Sequence, residues 1–235
     1  MVPGFDTNSF GSTAVRAKLA LETGDIPTAR KESARALQLP VEETRATSLA
    51  IVLARLGEVH DAEKLLQQIN EAHPLNTRIQ KMDLPTIRAA IELSKNNHFR
   101  AITILANSVP YDLGEPVGMD PMYSVYLRGL AFLELNQGRD AAIEFRKMVD
   151  HPGILQDSVL SPLSHLWLAR AQAMMGDKDA ARKAYQDFLT LWKDADPDIP
   201  IYKQAKAEYA RLNKLPATSR KLPAKSRQLS AVSHQ

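Results

Sequence analysis

Residues 123–152, YSVYLRGLAFLELNQGRDAAIEFRKMVDHP, decide the architecture. In the first half, Tyr123, Val125, Tyr126, Leu127, Leu130, Phe132, Leu133 and Leu135 place apolar groups all around a helix rather than along one side. Such a helix has to be covered on both flanks, which a lone helical hairpin cannot do and a stack of hairpins can. After the polar turn Asn136-Gln137-Gly138, the second half sets Ala141, Phe145 and Met148 at helical spacing among charges, a helix with one dry face. The segment reads as one hairpin of an array.

The same organisation recurs on either side. Short polar turns stand at Thr23-Gly24-Asp25, Leu56-Gly57-Glu58, Asn96-Asn97-His98 and Met175-Gly176-Asp177. Measured at Gly24, Gly57, Asn96, Gln137 and Gly176, the steps are 33, 39, 41 and 39 residues. Gly or Asn suits these turns because the chain leaves a helix through a left-handed residue, where a Cβ is strained. A small residue follows each turn, at Ala29, Ala62, Ala101, Ala141 or Ala142, and Ala181, where two helices would cross closely. The first pair is the weakest, with Ser33 where the others carry a large apolar group. Four N-cap and proline combinations predict helix starts: Asp25-Ile26-Pro27, Asp83-Leu84-Pro85, Asp120-Pro121 and Ser161-Pro162. Tyr202, Ala205, Tyr209 and Leu212 form one stripe on a last helix, as expected of a cap that ends an array.

Composition agrees with an all-α chain. It has 235 residues, 44% of them apolar, with 10 Gly and 6% aromatics, enough for a core and poor material for many short strands. The net charge is +3, yet Lys214, Arg220, Lys221, Lys225 and Arg227 stand in a tail without an acid, which leaves the body at −2. A body of that sign is not expected to bind nucleic acid specifically. The expected domains are a flexible N-terminus over 1–10, the repeat domain over 11–213 and a disordered basic tail over 214–235. No apolar run is long enough to cross a membrane and residues 1–10 do not look like an export signal, so a cytoplasmic location is expected.

Chemistry is hard to find in these residues. Cysteine is absent, and His60, His73, His98, His151, His165 and His234 show no metal-binding spacing, so neither a metal nor a cofactor is expected. The alternating Asp194, Asp196 and Asp198 lack the glycine and glutamate of a calcium loop, and Asp198 reads as the cap of a helix starting near Ile199. Gly114 to Gly118 follows no strand and reads as an inter-repeat loop. Ser164 and His165 point about 100° apart on a helix and read as surface or helix-end residues. Trp167, Trp192, Tyr185, Phe188, Tyr202 and Tyr209 read as core more readily than as a ligand groove. No kinase motif is present, and no enzyme is expected.

Gly129 and Phe132, the alanines at 141 and 142, Phe145 and Pro152, with Ala50, Leu53, Gly57, Ala62, Leu66 and Pro74 in the same order in the second unit, resemble the tetratricopeptide repeat. The resemblance spans roughly residues 11–193, lacks the family's usual tryptophan, and implies a right-handed α-solenoid of about five hairpins with a capping helix. Within it, Tyr126 to Phe132, Phe145 to Gly153 and Tyr185 to Leu189 continuing through Asp196 to Pro200 are similar to the repeat region beyond the catalytic domain of bacterial eukaryotic-type serine/threonine kinases. That implies a regulatory or partner-binding segment, either as a scaffold or as a detached part of such a kinase. In this repeat family the first helices line a concave face that holds a protein or peptide. The residues this implies as contacts are Lys18, Thr47, Arg55, Tyr126, Glu134, Arg170 and Gln172. The asparagines of the family's chaperone-binding clamp are missing.

Overall fold

The computed structural model describes residues 9–114 and 119–214. Among them twelve α-helices run in order: α1 Phe10–Thr23, α2 Ile26–Ala36, α3 Glu43–Arg55, α4 Val59–Ala72, α5 Leu84–Ser94, α6 His98–Ala106, α7 Tyr123–Glu134, α8 Gly138–Val149, α9 Pro152–Leu155, α10 Leu160–Met174, α11 Lys178–Leu191 and α12 Pro200–Lys214. Five hairpins form from α1/α2, α3/α4, α5/α6, α7/α8 and α10/α11. Their first helices pack in succession, α1 on α3, α3 on α5, α5 on α7 and α7 on α10, and build a continuous inner layer. The second helices lie outside it, each held by its own hairpin partner, with α2 also packed on α3, α4 on α5, α6 on α7 and, most extensively, α8 on α10. This is the α-solenoid expected from the doubly covered first helices.

The turns set the repeat. Gly24, Gly57, Asn96, Asn136 and Gly176 have φ of +86°, +84°, +60°, +56° and +78°, with steps of 33, 39, 40 and 40 residues. The fourth differs from the expected turn centre by one residue. Asn136 takes the left-handed conformation, and Gly138 already belongs to α8. Gly138 lies so close to α10 that an added Cβ would come within 3.0 Å of the Ala171 carbonyl.

Five residues beyond each left-handed turn stand Ala29, Ala62, Ala101, Ala141 and Ala181, all fully buried. Seven residues before it stand Ala17, Ala50, Ala89, Gly129 and Ala169, a second small series that matches the first across each hairpin and is buried as well. A Cβ at Gly129 would sit 2.6 Å from Cζ of Phe145, so glycine there leaves room for the tip of the ring against the α7 backbone. Ser33, the small residue of the weak first pair, is buried and donates its hydroxyl to the Ala29 carbonyl within α2.

Of the four expected caps, Asp25 alone accepts a helix-starting amide, from Thr28 at 3.1 Å. Asp83 lies within continuous helix, at the end of a π turn over Ile79–Asp83 that runs into α5, and accepts a hydrogen bond from the Thr47 hydroxyl at 3.2 Å. Asp120 pairs with Lys18 and receives the Ser158 hydroxyl, while α7 starts three residues later. Ser161 is inside α10, whose first amide is met by the Ser158 hydroxyl at 3.2 Å. In each case a tertiary partner, or a nearer hydroxyl, outcompeted the local cap.

At the C-terminal end α12 covers α11 with the expected stripe, in which Tyr202, Ala205 and Leu212 are buried. Phe188, Trp192 and Tyr202 form an aromatic triangle with centroids 5.0–6.3 Å apart, core rather than groove. Asp198 does not cap this helix but pairs with Lys203 on its first turn, 2.7 Å away. Ser164 is buried, with its hydroxyl given to the Ser161 carbonyl, and is not a surface residue, while His165 is half-buried. α1 begins at Phe10 behind the N-cap Ser9. Residues 1–8, the loop residues 115–118 and the basic tail beyond 214 lie outside the described residues. Among the described residues no helix is long and apolar enough to cross a membrane.

Candidate partner-binding surfaces

The inner layer presents an i, i+4 stripe ten, six and two residues before each turn, which holds Thr47, Tyr126, Lys18, Arg170, Arg55 and Glu134. Gln172, four residues before its turn, stands off that stripe.

Glu22, two residues before the first turn, organises the upper part of the stripe. Its carboxylate is fully buried and pairs with Arg55 of α3. It also accepts the hydroxyls of Tyr123 and, at 2.8 Å, Tyr126, both on α7. Arg55 donates to the Tyr123 hydroxyl at 2.8 Å and lies over the Tyr126 ring at 5.7 Å. Beside this knot Lys18 reaches Asp120 at 2.7 Å. The first hairpin therefore touches the fourth across the concave side, and Gly24 comes near Pro200 of α12.

The electrostatics keep this knot charged on one side and protonated on the other. Burial, opposed by Arg55 and reinforced by Glu22, holds the Tyr123 hydroxyl well above its ordinary range. Burial and Glu22 do the same for Tyr126. Burial is the largest single influence on Arg55 and acts to discharge it, but Glu22, Tyr123 and Tyr126 together outweigh it and raise the guanidinium further. Two neutral hydroxyls and one fixed cation thus surround the Glu22 carboxylate, the arrangement that makes a buried charge tolerable.

Two further knots brace the array. Arg128 of α7 is buried between Asp112 at 2.6 Å and Glu144 at 2.8 Å, with Lys147 also 2.7 Å from Asp112. These four side chains tie the segment after α6 to α7 and α8. Arg170 of α10 pairs with Glu208 of α12 at 3.0 Å and stacks over Trp167 at 4.4 Å, while the Tyr185 hydroxyl donates to the same carboxylate at 2.9 Å. Burial and Glu208 raise the Tyr185 hydroxyl too.

Of the seven residues expected on the concave face, Thr47 and Tyr126 are buried and bonded to Asp83 and Glu22, while Lys18 and Arg170 are engaged with Asp120 and Glu208. Arg55 and Glu134 are brought together at a pocket of about 280 Å³ that Leu93, Ser94, Asn96, His98 and Leu130 complete. Glu134 is exposed there. Gln172 is buried and lines a separate groove between α8 and α10. Sequence reasoning did not single out Glu22, Asp112, Arg128 or Glu144. Glu22 does carry a signal, because it occupies in the first unit the place that Arg55 and Glu134 hold in the second and fourth. Asp112, in the segment after α6, follows no such register.

Residues 164–195, α10 and α11 with their turn, match the tetratricopeptide repeat family. Among solved structures the chain is similar to a tetratricopeptide repeat protein from Parabacteroides merdae, at 17% identity over 87% of this chain and 73% of that one, with a TM-score of 0.46. Comparison with curated proteins gives no significant match.

Proposed function

We propose that this chain is a non-catalytic protein-interaction module of the tetratricopeptide kind. The observation that supports it most is the stack itself: five hairpins present a long surface of rigid helices, and the fifth of them matches that family directly. Rigid helical surfaces hold partners by shape and by a few well-placed side chains, at little cost in ordering. The likeness of residues 123–212 to the repeat region of bacterial serine/threonine kinases points to a regulatory place in bacterial signalling, in the cytoplasm, as a scaffold or as the non-catalytic part of such a kinase.

Among the residues expected at the contact, Glu134 supplies an exposed carboxylate at the open pocket that Arg55 also lines, and Gln172 supplies an amide at the outer groove. Lys18, Thr47, Tyr126 and Arg170 serve the surface by holding the inner helices that carry it.

Cross-linking in bacterial cell extract followed by affinity capture of the intact chain and mass spectrometry tests the reading. The expected result is a protein recovered in constant proportion, whose yield falls with Glu134→Lys or another surface substitution that leaves the melting temperature unchanged. Transfer of labelled phosphate from ATP by the purified chain would overturn the non-catalytic reading.

A further inference from the structure

Gln172 is 6% exposed, and its Oε1 is buried without a hydrogen-bond partner. In the other inner helices the same register position holds Ala20, Leu53, Phe132 and Glu92, whose carboxylate accepts from Asn97 at 2.9 Å. An amide left unanswered in a slot that three other units fill with apolar groups costs stability, which an external hydrogen-bonding group would recover.

The groove that Gln172 lines, about 670 Å³, departs from the repeat in a second respect. Seven residues beyond each turn the outer helices expose Lys31, Lys64, Thr103 and Lys183, but α8 exposes Ile143 there, at 57%. Ile143, Leu168 and Met175 give the groove an apolar floor, and Met175 is 44% exposed. Arg139 and Arg146 flank it, exposed and without a salt bridge among the described residues. Of the other charges at this groove, Lys147 is engaged with Asp112, Asp177 caps α11 through the Ala180 amide while keeping its charge, and Asp150 stands with it opposite the two arginines.

We propose that the α8/α10 groove, on the outer side of the solenoid, docks an acidic peptide segment of a partner protein. Its apolar side chain fills the floor at Ile143 and Met175, its carboxylates meet Arg139 and Arg146, and its backbone answers the Gln172 amide. The chain's own tail has the wrong sign for this place, since Lys214, Arg220, Lys221, Lys225 and Arg227 would face the two arginines. The proposal deepens the interaction-module reading and rests on it.

The test uses the full chain with a fluorescein-labelled peptide of repeating Asp-Leu-Glu-Phe units, its lysine-for-acid counterpart and a single-stranded oligonucleotide, followed by fluorescence anisotropy. The acidic peptide is expected to bind, more weakly as salt rises. Arg139→Glu with Arg146→Glu is expected to weaken it by about tenfold, a modest loss for two reversed rim charges. Gln172→Leu separates docking from a structural role, since filling the slot with an apolar group should raise the melting temperature while weakening the peptide. Equal binding of both peptides, no binding of the acidic one, tighter binding of the oligonucleotide, or a Gln172→Leu variant that loses stability overturns the proposal. So does a dimer of the chain that the arginine substitutions dissolve. Any of these outcomes alongside intact partner capture in the cross-linking experiment would sink the groove and spare the broader reading.

Discussion

At the scale of single residues, the array depends on where a Cβ is missing or small. Gly129 faces the tip of the Phe145 ring, and a methyl there would approach it to 2.6 Å. An aromatic ring packed between α7 and α8, stacked on Trp167 at 6.2 Å, has little room to yield. Gly129→Ala is therefore expected to destabilise by about 1–3 kcal/mol, the usual range for overpacking, and Phe145→Leu should recover part of the loss by making room. Gly57→Ala is the contrasting case, because nothing lies within 4 Å and only the backbone at φ +84° resists. It should cost about 1 kcal/mol, with no rescue from any neighbour. Thermal unfolding of the three single variants and the Gly129→Ala, Phe145→Leu double variant checks both statements. Gly129 and the turn residues were legible in the sequence because steric demands on a backbone are local. Of the matching series, Ala50 stood in the repeat pattern, while Ala17, Ala89 and Ala169 were hidden by the abundance of alanine in helices.

At the scale of elements, helices far apart in the chain are joined by buried charge. Glu22 links α1 to α3 and α7. Glu22→Ala strands the Arg55 guanidinium and two tyrosine hydroxyls in the interior, for which we expect a loss of about 3–5 kcal/mol. Denaturant titration will show it, and a loss within experimental error would mean that water replaces the carboxylate. The tyrosines also set an alkaline limit. An unfolded tyrosine ionises near about pH 10, whereas Tyr123, Tyr126 and Tyr185 retain their protons above that in the fold. Their contribution is fully present below the unfolded value and is lost as pH climbs through the raised folded ones. Phenolate absorbance should accordingly show these three of the six tyrosines ionising together with loss of helical circular dichroism. Ionisation of all six while the helices persist would contradict the burial of these hydroxyls. None of these joins was legible beforehand, because a hydrogen bond between residues 22 and 126 leaves no periodic trace in either helix.

At the scale of the whole molecule, stability is a sum over neighbours, and the last neighbour is α12. It covers Tyr185 and Phe188 of α11 and holds Arg170 of α10 through Glu208. Ending the chain after Asp198 should lower the melting temperature, broaden the transition and promote association through the uncovered aromatics. Calorimetry with analytical ultracentrifugation will register all three, and an unchanged sharp transition would show that α12 is an appendage rather than a cap. The concave face is where expectation and structure stand furthest apart in detail. The contact residues that the resemblance implies lie on the inner helices, yet Thr47, Tyr126, Lys18, Arg55 and Arg170 meet partners of the same chain. That follows from the winding of the inner layer, which brings the first hairpin across to the fourth.

By itself the sequence determined the class of the protein: helices, their hairpin pairing, the turn positions to within a residue, and the cap at the end. All of these rest on short-range geometry, on apolar spacing along a helix and on which residues tolerate a left-handed backbone. Only the tertiary structure decided which polar groups of the inner stripe are spent within the molecule and which stay open to a partner. That choice depends on the accumulated rotation from one hairpin to the next, a quantity to which every interface contributes a little and no local motif contributes enough to be read.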